Sequence, residues 1–68
     1  MTEVEYVICK VIKEYHNKFD KNPRSTEISR ILYYSNRTIR YHLDKLQKVG
    51  IVEKTKDKKY RLIVNNLK

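Results

Sequence analysis

Between Ser35 and Gly50 the chain carries Asn36, Arg37, Arg40, Tyr41 and Lys48 on one side of a helical projection and Ile39, Leu43 and Leu46 on the other. Arg37, Tyr41, Asp44 and Lys48 point away from the apolar residues, and Arg40 lies between the two faces. Amide, guanidinium, phenol and ammonium groups gathered in this way supply hydrogen-bond donors and positive charge together. If that face has a specific chemistry, it is the reading of DNA. A basic outer face on a helix is more often simply solvated, so the rest of the chain must decide.

The other reactive side chains are few. Cys9 and His16 are seven residues apart, near one another in angle at the edge of an apolar stripe, but two ligands do not make a structural zinc site. They read as a semi-buried thiol and a boundary imidazole, with a self-association edge as the alternative. A single cysteine cannot close an internal disulfide. His42 flanks the helix from Ser35 and reads as a packed histidine rather than a base. No catalytic residue, metal, cofactor or small-molecule ligand is expected, and an enzyme is the least favoured class.

Composition narrows the choice further. Sixty-eight residues make one domain with little room for a cleft, burying about 60% of the surface of the unfolded chain. Sixteen Lys and Arg stand against eight Asp and Glu, a net charge of +8 with a pI near 9.8, which favours a polyanion: nucleic acid or an acidic membrane surface. No apolar run approaches the ~20 residues of a membrane span, and the opening TEVEYVICK is acidic where a signal peptide is basic. A cytoplasmic protein without membrane attachment is expected. The absence of alanine and the abundance of Lys, Ile, Tyr and Asn suggest an AT-rich genome.

The elements that would position the basic face can be read in order. Val4, Val7, Ile8, Val11, Ile12, Tyr15 and Phe19 form one helical stripe, predicting a helix over about 3–18, and Thr2 with Glu5 fits a capping box. That segment sets Lys10, Lys13 and Lys18 against Glu3, Glu5, Glu14 and Asp20, so it is a core builder rather than a phosphate contact. Pro23 breaks the helix. Ser25 or Thr26 should cap a second helix over about 26–32 that buries Ile28, Ile31 and Leu32, with Ser29 allowing a close neighbour and Glu27 suiting the helix dipole. The turn that follows has no glycine, so either Tyr33 takes positive φ or the turn is of another kind. Tyr34 reads as a core plug before the cap in preference to a stacking platform. Ser35 caps a third helix over about 36–49 that stops at Gly50, with His42 and Val49 on its flank. Two strands then flank the turn Thr55-Lys56-Asp57-Lys58, giving a wing over about 51–64. Tyr60, Leu62 and Val64 share one side of it, Lys59, Arg61 and Ile63 the other, and Ile51 or Val52 covers the helices. Lys54, Lys56, Lys58, Lys59 and Arg61 outweigh Glu53 and Asp57 there, although lysine-rich hairpins also serve to discourage edge pairing.

Three helices followed by a basic hairpin resemble the winged helix-turn-helix regulators of bacteria and archaea, an α+β fold that is mainly α. The likeness is carried by residues 26–32 and by residues 35–52, which look like the pattern S-x-x-T-[VI]-x-x-H-L-x-x-L-x-x-x-G-[IL]-[IV], and with the first helix and wing it spans nearly the whole chain. Tyr33 stands where such proteins usually have glycine. The resemblance implies a minimal transcription regulator binding double-stranded DNA, of a kind common in archaea, viruses, plasmids and phages. It puts the third helix in the major groove, with Asn36, Arg37, Arg40 and Tyr41 as base contacts and Arg40 and Arg37 first among them. Backbone contacts fall to Ser35, Thr38, Lys45, Lys48, Lys54, Lys56, Lys58, Lys59 and Arg61, with Lys56 and Lys58 at the wing tip. Asp44 is expected to brace Arg40 or Lys48. A homodimer on a two-fold symmetric operator is compatible with this, though no residue marks its interface. Two other readings compete: a winged-helix module that binds protein, and an architectural or replication protein that binds DNA without sequence preference.

Overall fold

The stripe of α1 (Glu3–Phe19) starts where two reciprocal hydrogen bonds satisfy the first amides. The Glu5 amide donates to Thr2 Oγ1 and the Thr2 amide to Glu5 Oε1, both at 3.2 Å. The computed structural model describes residues 1–63. After α1 come α2 (Ser25–Leu32), α3 (Asn36–Lys48), β1 (Val52–Lys54) and β2 (Tyr60–Leu62). The two strands are antiparallel, pairing Val52 with Leu62, Glu53 with Arg61 and Lys54 with Tyr60. This is a winged helix-turn-helix.

One core joins all the elements. Ile8, Cys9 and Ile12 from α1, Ile28 from α2, Ile39, Leu43 and Leu46 from α3, and Val52 and Tyr60 from the hairpin are buried together. The hairpin is anchored by the Tyr60 amide, which donates to the Pro23 carbonyl at 2.9 Å. Cys9 is wholly covered rather than semi-buried, and His16 is exposed.

Several local expectations are corrected. The second helix begins one residue early, because only Arg24 has a carboxylate three positions ahead. The Arg24 amide donates to Glu27 Oε1 at 2.7 Å, half of a capping box, and Ser25 is already helical. Ile31 is 49% exposed, because Ile28 and Leu32 form the covered side of α2 and Ile31 lies about 60° beyond Ile28 in the other direction. Phe19 is exposed at the last position of α1, with its ring 4.8 Å from that of Tyr15. Tyr34 is exposed and not a core plug: its staple partner would be Ile39, which the core already covers. Val49 caps α3 instead of extending it and is exposed.

The turn without glycine is made by Tyr33 itself, at φ 61° and ψ 28°. A left-handed conformation costs a non-glycine residue about 1 kcal/mol. Ser29 Oγ donates to the Tyr34 carbonyl and ties the turn back to α2. Gly50, at φ 79°, ends α3 in a Schellman arrangement, with the Gly50 amide on the Gln47 carbonyl at 3.0 Å and the Ile51 amide on the Leu46 carbonyl at 2.9 Å. That second bond takes the Ile51 amide, while the Ile51 carbonyl still accepts from the Ile63 amide at 2.8 Å, and β1 starts at Val52. At the other end the Lys59 amide donates to Thr55 Oγ1 at 3.1 Å, which leaves Lys59 outside β2. Val64, expected on the inner face of the wing, lies outside the described residues.

Candidate nucleic-acid interface

The face of α3 turned from the core is built from its first residue upward. Ser35 Oγ accepts from the Thr38 amide at 3.1 Å and donates to Thr38 Oγ1 at 2.9 Å. The serine proton is therefore used within the cap, and the Thr38 proton remains free to donate outward. Asn36 turns its Oδ1 into a buried position with no partner. An amide reads adenine by offering donor and acceptor together, so in this rotamer Asn36 has only its other atom to present.

Arg37, Arg40, Tyr41, Lys45 and Lys48 are exposed along α3. Lys45 Nζ lies 5.0 Å from the centre of the Tyr41 ring, and the His42 ring meets it edge-on at 5.2 Å. Tyr41 is thus held between its neighbours while 57% of it stays open to solvent. Asp44 makes no ion pair within 4 Å among the described residues, so the expected brace to Arg40 or Lys48 is not formed.

The wing divides its cations into two sets. Arg61 Nη2 sits 2.7 Å from Glu53 Oε1 across the strands, and Lys59 Nζ lies 3.7 Å from Asp57 Oδ2. Asp57 also accepts from the Thr55 hydroxyl, which holds its carboxyl below the ordinary range. Lys54, whose Nζ is 6.0 Å from the Tyr60 ring centre, and Lys56 and Lys58 at the tip make no ion pair among the described residues. Arg37, Arg40, Lys45 and Lys48 share that condition.

What aligns α3 under this surface includes a contact between residues 37 positions apart. His42 Nδ1 lies 2.9 Å from Glu5 Oε2, with both side chains largely buried. An ionised carboxylate only accepts, so Nδ1 is the donor. The other Glu5 oxygen receives the Thr2 amide, and one carboxylate thereby caps α1 and fixes the rotation of α3. A signal for it was present: Glu5 interrupts an otherwise apolar side of α1, three residues before Ile8 and four before Cys9. Tyr15 and Glu27 tie α1 to α2 in the same manner at 2.7 Å.

The hydrogen bond from His42 is the main cause holding the Glu5 carboxyl below its ordinary value of 4.5, against the opposing effect of burial. A carboxyl depressed in the folded state stabilises the fold above its unfolded value and loses that contribution as pH falls through the folded value. Unfolding titrations from pH 7 to pH 3 should show wild-type stability dropping below about pH 4.5. In Glu5→Gln the difference from wild type, about 1–2 kcal/mol at pH 7, should shrink over the same interval. A difference that does not change with pH would contradict the charged hydrogen bond.

Burial pushes the Cys9 thiol up to about 11, with the nearby Glu5 charge adding to the effect, so it stays protonated. Among the described residues no three His, Cys, Asp or Glu side chains are grouped as a metal ion would require. An open groove between α1 and β2, lined by Ile12, Lys13, His16, Arg61 and their neighbours, contains no thiol or carboxylate beside its imidazole. No helix among the described residues is long and apolar enough to cross a membrane.

Comparison with known proteins places the helix-turn-helix in a family. The family model described as bacterial regulatory protein, arsR family, matches residues 20–54, from the end of α1 through α2 and α3 to the end of β1. No curated protein matches the chain.

Proposed function

Since this chain belongs to the arsR family of bacterial regulatory proteins and carries a DNA-binding helix-turn-helix, we propose that it recognises a particular double-stranded sequence through α3. Arg40 and Arg37 are the principal readers of guanine edges, and Tyr41 adds contact beside them. Asn36 ranks below them because its Oδ1 is turned inward. Thr38, Lys45, Lys48, Lys54, Lys56 and Lys58 engage phosphates, and Ser35 contributes through its cap. Lys59 and Arg61 add less, since each already faces a carboxylate. Residues 1–68 act as one module in the cytoplasm, two copies sharing a symmetric site.

The observation that carries this reading is the contrast in pairing. Arg37 and Arg40 stand exposed and without an ion partner among the described residues, on a helix whose far side is fully packed. Cations left unpaired on a rigid helix remain available to an outside anion.

Selection from a pool of random duplexes is the test. The expected result is an enriched motif with two inverted half-sites, over a background of salt-sensitive binding with Kd of roughly 10⁻⁴ to 10⁻⁶ M. Binding without enrichment would replace the regulator with an architectural protein. Absence of salt-sensitive duplex binding near 100 mM salt would leave a protein-interaction module.

A further inference from the structure

Tyr33 is 94% exposed and lies in the left-handed region, where glycine would sit without a steric penalty. Its side chain makes no hydrogen bond or ring contact among the described residues. The Ser29 hydrogen bond to the Tyr34 carbonyl holds the turn, but nothing among the described residues uses the Tyr33 ring, and residues held in sparsely populated conformations cluster at functional sites.

Its surroundings indicate the function. Tyr33 follows α2 directly and stands two residues before Ser35, three residues after Arg30 in the last turn of α2 and four before Arg37 in the first turn of α3. Both arginines are exposed and lack ion partners among the described residues. Exposed guanidinium groups on the helices either side of the turn attract an anion, and the phenol adds a donor and a flat apolar face. Ser29, bonded to the next carbonyl, holds the backbone that aims the ring.

We infer that Tyr33 is a DNA-backbone contact, its hydroxyl donating to a phosphate beside the groove that α3 enters and its ring lying along the adjoining sugar. The inference rests on the DNA-reading function proposed above. It assigns to the turn a contact that supplies affinity without base preference.

Two variants test it, with stability and binding read on the same samples. Tyr33→Gly should raise the thermal midpoint by about 2–6 °C while weakening duplex binding roughly tenfold, a pairing of signs that a merely structural residue would not give. Tyr33→Phe should leave the midpoint in place and weaken binding by about fivefold through the lost hydroxyl. Both losses should be equal on the selected motif and on random duplex. Unchanged affinity in both variants, while Lys56→Ala with Lys58→Ala still weakens binding, would overturn this inference and leave the proposed function intact. A loss confined to the selected motif would make Tyr33 a base reader and overturn the backbone assignment. A lowered midpoint in Tyr33→Gly would make the tyrosine structural and overturn it too. No duplex binding by the wild-type chain would overturn both readings.

Discussion

Leu43→Ala should remove a large share of the domain's stability at 25 °C. Leu43 is wholly buried at the centre of α3, among Ile8 and Ile12 of α1 and Ile39 and Leu46 of its own helix in the common core. Truncating such a leucine costs about 2–5 kcal/mol, part for lost transfer free energy and part for the cavity. A domain of this length has roughly 3–10 kcal/mol in total. The loss is therefore a large fraction of the whole stability, and two-state urea unfolding followed by circular dichroism will measure it. Val49→Ala, at a position 68% exposed on the same helix, should change stability by less than about 0.5 kcal/mol. Equal small shifts for both would mean that α3 is not seated through Leu43.

Much of the architecture was legible because its signals are local. The 3.6-residue stripe of α1, the Thr2–Glu5 capping box, the Ser35 cap and Gly50 at the end of α3 each involve residues within one turn of one another. The helix wheel likewise separated Ile39, Leu43 and Leu46 from Arg37, Tyr41 and Lys48. What a wheel does not contain is the neighbour that covers a given side. Helical spacing puts Ile31 in the core with Ile28 and Leu32, and the position before the cap puts Tyr34 there, yet both are exposed.

Contacts between distant residues were hidden for the same reason. Glu5 and His42 meet only once α1 and α3 are packed, and neither residue announces the other across 37 positions. The wing's basic residues could be counted but not sorted. Which of them face a carboxylate follows from the register, in which Glu53 lies opposite Arg61. Asn36 is the finest case: its residue type suits adenine, and its rotamer turns the acceptor inward. Tyr33 was flagged by the missing glycine, and its left-handed conformation agrees with one of the two alternatives left open there.

The second large effect concerns Arg40. Its guanidinium is exposed on α3 and without an ion partner among the described residues, so truncating it should leave folding unchanged within about 0.5 kcal/mol. A bidentate pair with guanine is worth about 1–3 kcal/mol of discrimination, or roughly ten- to a hundredfold in affinity. That loss belongs to the recognised sequence, because on random duplex the same side chain finds only phosphates. The wing-tip lysines behave in the opposite way. Removing Lys56 and Lys58 together should weaken all duplexes alike and lower the salt slope by about two.

The decisive measurement is a pair of binding titrations with Arg40→Ala, one on the selected motif and one on random duplex of the same length and salt. A loss of ten- to a hundredfold on the motif, with only a small fraction of it on random duplex, is the result expected of a helix that reads bases. Equal losses on the two duplexes would contradict that assignment and reduce α3 to a source of positive charge.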